Sequence, residues 1–546
     1  MYLKRLVEFA EENQELFPTL GYKHKKYHWI VNVTGNEFHF LKANRGDEKI
    51  LPDVTRSSGT KPILLVDKAD YVFGFASTDA SEKIKKRALD RQEAYLALLE
   101  ECVEATQNQS VAMILKLLRK PIINFPDNVK ENDYFIFRVN DDEFPHENKE
   151  IQLFWETHLK PSVKSEDEMQ CMVCGEFGAV MDRHSIVFPL GPERTKMISA
   201  NANAYESHNL KASRGAPTCY VCEQKYGQAL EHLLQRHHDT KQPGGPHMFR
   251  MTDLTYVYWL RKKEHVEGLS GLISLSTSNP NEVRELIQST FSGVNADSEL
   301  KDFCILTLSA NKARMVVRGY EENSLLAVQK NVERFFDAQN LNQSRCYGIY
   351  TLAATMYNNP STQMEKYAVD EWIQWLMNGK RLSERVLLPL LKQVQSGGVM
   401  YANHGAALQS WLVSQKKEGS AVTLSKEESY NCGRLFAVLE KLQQEATNSN
   451  ETIASRYFGA ASTTPQSVFG LLIKNSQAHL NAIRKKSRGK EINYSKRIRD
   501  ILENLKSFPV VLDLKRQAEF ALGYYHERQD LYTKQGDREG VKINES

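Results

Sequence analysis

The alternation of apolar and polar residues predicts an N-terminal region in which helices and strands are mixed. Apolar residues at helical spacing indicate amphipathic helices, and aromatic and β-branched runs indicate strands. The predicted elements are a helix at Leu3–Asn13, strands at Trp29–Val33, Ile63–Val66 and Tyr134–Val139, and a long helical region from Ser81 to Leu118. We therefore predict an N-terminal α/β domain at residues 1–160.

The pattern becomes helical in the last third of the chain. Leu435, Val438, Leu439 and Leu442 recur at the spacing of one face of a helix. We therefore predict a C-terminal helical bundle at residues 371–546.

Two further segments separate these regions. Residues 161–250 are predicted to be a loop-rich unit, because the part that carries the cysteines, residues 171–222, contains many Gly, Asn and Ala residues. Residues 251–370 contain two predicted strands, Phe303–Leu308 and Arg314–Val317, around a polar turn. The fold class predicted for the whole chain is α+β.

Length and composition are those of an ordinary globular protein. The chain has 546 residues, of which 41% are apolar and 25% are charged, so several domains are expected. No apolar run approaches the roughly 20 residues that a membrane-spanning helix needs. Met1–Arg5 leads into acidic residues without the apolar stretch of a secretory signal. We therefore expect a cytoplasmic protein that does not enter a membrane.

Four of the eight cysteines form two C-x-x-C pairs, Cys171 with Cys174 and Cys219 with Cys222. Each pair lets two thiolates reach one ion, and two pairs complete a tetrahedral zinc site. Closed sites with four cysteines stabilise structure more often than they catalyse reactions. The sequence therefore predicts a structural zinc ion that holds the loop-rich segment together.

Two other interpretations of the cysteine pairs remain open. An iron–sulfur cluster also takes four cysteine ligands. A redox C-x-x-C would lead a helix near a βαβ unit and would not need a second pair. His184 and His208 lie between the two pairs and are alternative metal ligands.

The signatures of common catalytic sites are absent from the sequence. It contains no G-x-x-x-x-G-K-[ST] phosphate loop, no G-x-G-x-x-G and no G-x-S-x-G elbow. The triplet His237-His238-Asp239 suggests a metal-dependent phosphohydrolase, but it runs directly into a loop rich in Pro and Gly. Adjacent side chains on a helix also diverge, so the two histidines cannot aim at one metal. A polar helix end is the simpler interpretation.

Positive charge is concentrated near the C-terminus, although the whole chain carries a net charge of only +3. Residues 474–500 contain nine Lys and Arg against two Asp and Glu. A stripe of this kind is what a phosphate backbone requires. A solvated helix face has the same composition, so the sequence leaves both interpretations open.

A pair of arginines is the second candidate for phosphate binding. Arg314 and Arg318 share one face of a predicted strand, and Asn311 lies on the turn before them. Two guanidinium groups on one face fit a phosphate. A surface strand with salt bridges would look the same.

Several segments together resemble the large subunit of the type I-C CRISPR Cascade complex, the Cas-eight-c or Csd-type family. The similarity is strongest in about the last 120 residues, at Gly433–Gln443, Arg456–Tyr457, Ala461–Pro465, Phe508–Pro509 and Gly523–His526. Upstream, the order of the family is followed by Leu308–Arg314 with Val317–Arg318, Ser199–Ser207 with Ala216–Pro217, and Gly59–Pro62 with Tyr71–Gly74. Glu527 departs from the family, in which Gln is common at this position.

The resemblance implies a nucleic-acid-binding role without catalysis, and a C-terminal bundle that is similar to the small subunit of Cascade. The implied partners are crRNA near its 5′ handle, target double-stranded DNA, the Cascade backbone and handle-binding subunits, a separate small subunit, and a helicase-nuclease recruited on target binding. In such a complex the guide supplies sequence specificity by base pairing. The large subunit would recognise the protospacer-adjacent motif on duplex DNA and stabilise the R-loop.

Three groups of residues are predicted to carry these tasks. The loop that reads the motif comprises Ser57, Ser58, Gly59, Thr60 and Lys61, where Gly permits close approach, hydroxyls reach base edges and Lys binds phosphate. The displaced strand is assigned to Lys485, Lys486, Arg488, Lys496, Arg497 and Arg499. Contact with crRNA or a neighbouring subunit is assigned to Asn311, Arg314 and Arg318.

Two functions from other classes compete with this one. A metal-dependent nuclease or phosphohydrolase would use His237, His238 and Asp239. A zinc-containing scaffold would contact no DNA at all, so a change in the motif would alter none of its properties.

Overall fold

The computed structural model describes residues 2–54, 56, 59–77, 79–120, 125–161, 168–184, 186–191, 194–200, 202–206, 208–235, 244–261, 269–275, 277–292, 302–339, 345–397, 400–416, 427–449 and 451–532. The chain divides into two compact units. Unit 1 comprises Met1–Gln235, Arg261–Lys263 and Leu308–Arg318, and unit 2 comprises Arg236–Leu260, Glu264–Thr307 and Gly319–Ser546. The predicted α+β class is confirmed, since strands and helices occur in both units and the C-terminal part is helical.

Unit 1 mixes strands and helices along its length. Its strands are β1 (Tyr22–Lys26), β2 (Trp29–Thr34), β3 (Glu37–Lys42), β4 (Glu48–Pro52), β5 (Val66–Lys68), β6 (Tyr134–Val139), β7 (Met169–Gln170) and β8 (Phe177–Gly178). Its helices are α1 (Tyr2–Glu12), α2 (Ala69–Val72), α3 (Glu82–Thr106), α4 (Gln109–Leu118), α5 (Lys149–Leu159) and α6 (Tyr220–Leu233).

The centre of unit 1 is a four-stranded sheet in the order β3-β2-β6-β5. β2 runs parallel to β6, and the outer pairs are antiparallel. The central strands carry aromatic and β-branched residues that favour a buried sheet, and Val31, Phe135 and Phe137 are completely buried. Leu99 of α3 and Ile114 of α4 belong to the same apolar core.

The chain entering this sheet differs from the prediction. A strand at Ile63–Val66 is wrong, because the strand is Val66–Lys68. The buried carboxylate of Asp67 accepts a hydrogen bond from the Ile63 N–H at 2.8 Å, and Leu65 has a φ of 59°. A left-handed residue cannot continue an extended run, so the segment before β5 turns while remaining buried.

The predicted long helical region is interrupted once. Gln107 adopts a left-handed φ of 52° after α3. Asn108 then begins α4 by accepting a hydrogen bond from the Val111 N–H at 3.1 Å. An Asn at this position favours a new helix start, so one periodic pattern becomes two helices.

Unit 2 changes from strands to helices along the chain. Its strands are β9 (Gly244–Gly245), β10 (Met248–Met251), β11 (Leu254–Leu260), β12 (Thr277–Ser278), β13 (Phe303–Asn311), β14 (Arg314–Asn323) and β15 (Cys346–Tyr347). Its helices are α7 (Leu269–Ser274), α8 (Pro280–Thr290), α9 (Leu325–Asp337), α10 (Ile349–Ala354), α11 (Pro360–Gln363), α12 (Lys366–Asn378), α13 (Glu384–Gly397), α14 (Ala402–Ser414), α15 (Glu428–Thr447), α16 (Ile453–Thr463), α17 (Pro465–Lys486), α18 (Arg488–Leu502) and α19 (Leu514–Tyr532).

The strands of unit 2 include a sheet in the order β14-β13-β11-β10-β9. Every residue of β11 is buried, in keeping with its mostly apolar sequence. The hairpin of β13 and β14 is divided between the units, because its tip, Leu308–Arg318, belongs to unit 1. This hairpin therefore runs through both units.

The helices α15 and α19 approach each other closely because each has a glycine where they cross. A Cβ atom at Gly433 would lie 1.9 Å from the carbonyl oxygen of Phe520, and a Cβ at Gly523 would lie 2.1 Å from the carbonyl oxygen of Tyr430. No side chain fits these distances. The two glycines therefore fix the separation of the two backbones.

Buried carboxylates lie beside this crossing and have polar partners. Glu440 is 6% exposed and accepts a hydrogen bond from the Tyr524 hydroxyl at 2.7 Å. Glu527 is 3% exposed and pairs with Arg434 at 2.8 Å and with Arg497. A buried carboxylate requires such pairing. The charge of Glu527 is thus balanced by two arginines.

Candidate metal centre and nucleic-acid sites

The four predicted metal ligands come together in unit 1. The Sγ atoms of Cys171, Cys174, Cys219 and Cys222 all lie within 4.8 Å of one another. No other group of three or more His, Cys, Asp or Glu side chains comes together in this way within the described ranges. The sequence therefore identified this cluster correctly.

Each cysteine pair lies where backbone N–H groups converge. Cys171 and Cys174 lie in the turn between β7 and β8, which Gly175 closes with a φ of 85° and a hydrogen bond to the Cys171 carbonyl at 2.9 Å. Cys219 is the N-cap of α6, and Cys222 follows in its first turn. The positive end of a helix stabilises thiolates. A turn and a helix start therefore supply two ligands each.

The geometry of the cluster fits a tetrahedral zinc ion. Zn–S bonds of about 2.3 Å in a tetrahedron separate the sulfur atoms by about 3.8 Å. The Sγ atoms of Cys174 and Cys219 are 3.9 Å apart, and the Cys219 N–H points to the Cys171 Sγ at 3.4 Å. Four thiolates would hold the ion, and its chemistry there is structural.

The two histidines between the cysteine pairs lie outside the cluster. His184 is buried, and its Nδ1 shares a hydrogen bond with the Tyr226 hydroxyl at 2.7 Å. Burial lowers the pKa of His184 to about 4, so its ring is neutral at physiological pH. His208 is exposed and has a left-handed φ of 52°. Neither histidine replaces a cysteine in the set of four.

The hairpin tip pairs with the segment that follows the first cysteine pair. The Lys196 N–H donates to the Ala313 carbonyl at 3.0 Å, and the Met315 N–H donates to the Lys196 carbonyl at 2.9 Å. The guanidinium of Arg314 lies 3.9 Å from the centre of the Tyr205 ring. Two segments that resemble the family at distant positions in the sequence are therefore neighbours in unit 1.

The other two residues of the predicted hairpin site have different surroundings. Arg318 donates from Nε to the Ser309 hydroxyl at 2.8 Å, which ties the two strands together. Asn311 is exposed at the end of β13. Arg318 and Arg314 thus both make contacts within the protein, and any role in binding crRNA or a subunit stays a prediction.

The predicted motif-reading loop is tethered at its base and exposed at its end. Gly59, Thr60 and Lys61 are all exposed, and Gly59 has a φ of 77° with no atom within 4 Å of a Cβ placed there. Ser57 and Ser58 lie outside the described residues. The tether is Arg56, which donates to the Lys61 carbonyl at 2.7 Å.

Arg56 is itself held by a buried acid and an aromatic ring. Its guanidinium pairs with Asp67 and lies 3.9 Å from the centre of the Tyr71 ring. Asp67 also accepts the N–H groups of Ile63 and Lys68, each at 2.8 Å. Burial raises the pKa of Asp67 to about 6, and the charge of Arg56 opposes this shift. The base of the loop is therefore attached to a buried acid, although the end of the loop is exposed to solvent.

This loop borders a cleft of about 930 Å³ within unit 1. Thr60 and Lys61 line one part of the cleft, and Arg183 and Lys196 of the segment after the first cysteine pair line another. Lys23 and the acids Asp53 and Asp182 also border it, and Asp53 pairs with Lys25 at 2.7 Å. The cleft thus joins the predicted loop to the cysteine segment and carries more cations than anions.

Most of the predicted basic stripe is exposed on α17 and α18. The exposed members are Lys485, Lys486, Arg488, Lys496 and Arg499. Arg497 is different, because it is half-buried and pairs with Glu527 and Asp530. Lys486 donates to the Glu445 carbonyl near the end of α15 at 3.2 Å. The structure therefore separates a solvent-facing group of cations from one arginine that holds helices together.

Two further observations concern the alternative metal site and the possibility of a membrane-spanning helix. His237, His238 and Asp239 of the alternative metal site lie outside the described residues. Among the helices that the structure describes, none is both long enough and apolar enough to cross a membrane.

Residues that sequence analysis missed connect the predicted sites. The ion pair of Arg56 with Asp67 holds the base of the loop. The Tyr205 ring stacks against the guanidinium of Arg314, and Arg183 lines the cleft. Tyr205 lies in a segment already matched to the family, which was a usable signal. Sequence analysis missed the pairing of Arg56 with Asp67, because this pair depends on the buried turn before β5 and a strand was predicted there.

Comparison with known proteins assigns the chain to a class. It matches the family model described as CRISPR-associated protein (Cas_Csd1) over residues 3–532, so the chain belongs to this family. The family is that of the type I-C Cascade large subunit, which confirms the resemblance inferred from the sequence. No curated protein matches the chain.

Proposed function

We propose that this Cascade protein is the non-catalytic large subunit that recognises the protospacer-adjacent motif on duplex DNA. It binds near the 5′ handle of the crRNA, beside the handle-binding and backbone subunits. It also stabilises the R-loop, works with a separate small subunit and helps to recruit the helicase-nuclease. In this division of labour, base pairing with the guide reads the target and the protein reads only the short motif.

The observation that carries this proposal is the loop end Gly59–Lys61 at a cationic cleft. A reader of base edges needs a backbone without bulk, hydroxyl groups and a nearby cation, and it needs a fixed base to discriminate between bases. Gly59 supplies the backbone without bulk, Thr60 a hydroxyl group and Lys61 the cation. The contacts of Arg56 with Asp67 and with the Lys61 carbonyl hold the base of the loop in place.

The test compares motif discrimination in the assembled complex. Lys61→Ala and Gly59→Trp are measured for binding to duplexes with an intact motif and with an altered one. Lys86→Ala removes an exposed lysine of α3, and Gly46→Trp places the same bulk at another open glycine with a left-handed φ. We expect both loop variants to lose most of the difference between the two duplexes, and both controls to keep it. Equal discrimination in all four variants would exclude this loop as the reader.

The displaced strand is assigned to the exposed stripe Lys485, Lys486, Arg488, Lys496 and Arg499. Cations that project into solvent from neighbouring helices suit a flexible single strand, because binding through phosphates needs no fixed base geometry. Removing these charges together should lower R-loop stability and flatten its dependence on salt concentration. An unchanged salt dependence would contradict this assignment.

The absence of catalysis is part of the proposal and has its own test. Purified protein is incubated with single- and double-stranded DNA and RNA in the presence of Mg²⁺ or Mn²⁺. We expect no cleavage. Cleavage that disappears in His237→Ala and Asp239→Ala would favour the phosphohydrolase alternative instead.

A further inference from the structure

The cleft beside the predicted motif-reading loop has a second cationic wall. This wall is formed by Val180–His184, Ile186 and Lys196, and its cations are Arg183 and Lys196. Sequence analysis assigned Arg183 and Lys196 no role.

The cysteine cluster fixes the position of this second wall. Val180 pairs with Cys219 in an antiparallel bridge, and the Met181 N–H donates to the Thr218 carbonyl at 2.9 Å. The Asp182 carbonyl in turn accepts the Ser213 N–H at 3.0 Å. Arg183 therefore follows directly on backbone that is hydrogen-bonded to the metal-binding segment.

The far end of the wall is fixed by the hairpin tip. Lys196 is bonded through its backbone to Ala313 and Met315, and its Nζ donates to the His184 carbonyl at 3.0 Å. This contact uses one of the three ammonium protons and leaves two. Arg183 and Lys196 thus both lie beside or on backbone that is hydrogen-bonded to other segments of unit 1.

The charge of this wall is available to a ligand. Arg183 is exposed, and no carboxylate in the described part of the chain lies within 4.0 Å of its guanidinium. Asp53, the acid beside the loop, is already paired with Lys25. Asp182 is the acidic neighbour of Arg183, and its exposure to water weakens its effect. A guanidinium in this setting suits the oxygens of a phosphodiester.

We infer that Arg183 and Lys196 bind backbone phosphates of the DNA whose motif the loop Gly59–Lys61 reads. This inference rests on the proposed function, because it gives the same DNA a second set of contacts. The loop supplies discrimination between sequences, and the cysteine-held wall supplies affinity for any sequence. One DNA duplex would then lie between the loop that recognises the motif and the two cations that bind its phosphates.

The test uses fluorescently labelled duplex DNA and the assembled complex over a range of salt concentrations. Arg183→Glu reverses the charge, Arg183→Gln removes it with little change in size, and Arg87→Glu reverses an exposed arginine of α3 away from the cleft. Bound zinc and the thermal unfolding of each variant show that it is folded. We expect Arg183→Gln to bind roughly tenfold more weakly to intact and altered motifs alike, and Arg183→Glu to bind more weakly still. The slope of log K against log salt should fall by about 1.

The outcomes separate this inference from the proposed function. If Arg183→Glu and Arg183→Gln bind as Arg87→Glu does, the phosphate clamp is overturned while the loop remains the reader. If Arg183→Gln loses discrimination but keeps the salt slope, Arg183 reads bases and the clamp is also overturned. Loop variants that keep full discrimination overturn the proposed function itself, whatever the result at Arg183.

Discussion

The cysteine segment at residues 169–222 and the crossing of α15 with α19 are stabilised in opposite ways. The segment has two strands of two residues each, and its buried apolar side chains, such as Val180 and Phe188, lie outside both large apolar clusters. The crossing is an extended helix contact with apolar side chains from both helices in one cluster. The segment therefore depends on a ligand set, and the crossing depends on close packing.

This difference teaches where each region is vulnerable. A segment of short strands held by one ion is expected to lose its fold when the ion or one ligand is lost. A glycine crossing is insensitive to metal but tolerates no added atom at its closest point. The following predictions test this contrast, beginning with the largest expected effect.

Replacing a metal ligand should unfold the cysteine segment and leave the crossing intact. In Cys219→Ser, we expect amide hydrogens across residues 169–222 to exchange roughly a hundredfold faster or more, because structural zinc contributes about 10–16 kcal/mol in small domains. Exchange in α15 and α19 should not change. Met172→Ser, which alters an exposed residue between two ligands, is the control. Faster exchange in both regions would contradict the contrast.

Adding one methyl group at the crossing of α15 with α19 should destabilise the crossing and leave the cysteine segment intact. Gly433→Ala places a Cβ 1.9 Å from the Phe520 carbonyl, so we expect a loss of about 3 kcal/mol or more in the free energy of unfolding. Gly459→Ala is the matched control, since a Cβ there meets nothing within 4 Å, and it should be neutral or stabilising by up to about 1 kcal/mol. Denaturant unfolding measures both. Equal effects would show that the crossing is not tight.

Acidification should weaken both regions through buried histidines. Burial lowers the pKa of His184, in the cysteine segment, and of His526, in α19, from 6.5 to about 4. The unfolded chain therefore binds protons first as pH falls. Each histidine contributes stability that is fully present above about pH 6.5 and is lost progressively down to about pH 4, by about 2–3 kcal/mol.

Unfolding measured between pH 7 and pH 5 checks this expectation. His526→Gln should flatten the decline in stability, because its side chain does not titrate. His24→Gln, which replaces an exposed histidine of β1, is the control. A decline of unaltered steepness in His526→Gln would mean that another group controls the pH dependence.

The smallest effects on stability should distinguish two neighbours in the basic stripe. Arg497→Ala leaves Glu527 with one arginine fewer, so we expect a loss of about 1–2 kcal/mol. Arg499→Ala should change stability by less than about 0.5 kcal/mol, because Arg499 is exposed. Only Arg499→Ala should weaken binding of single-stranded DNA without a cost in thermal stability. The opposite pattern would move the nucleic-acid site toward α19.

The sequence predicted those features whose causes are local. The spacing of Cys171 with Cys174 and of Cys219 with Cys222 was sufficient to predict the cluster, because each C-x-x-C pair can bind the same metal ion. β6 was predicted correctly because its apolar run matches a central strand. The α+β class follows from the same patterns.

The features that the sequence did not reveal depend on contacts between distant residues. The second cationic wall requires that Val180 pair with Cys219 and that Lys196 pair with the hairpin tip. The role of Arg497 in packing depends on Glu527 and Asp530, and a count of charges cannot separate it from the exposed cations. Periodicity and composition record neither kind of contact.

The divided hairpin of β13 and β14 has a consequence for synthesis on the ribosome. Unit 1 takes its last segment from Leu308–Arg318, whereas most of residues 236–307 belongs to unit 2. A nascent chain therefore carries much of unit 2 before it can complete unit 1. A fragment that ends before Ala313 lacks both backbone partners of Lys196, so these two hydrogen bonds form only after the hairpin has been synthesised.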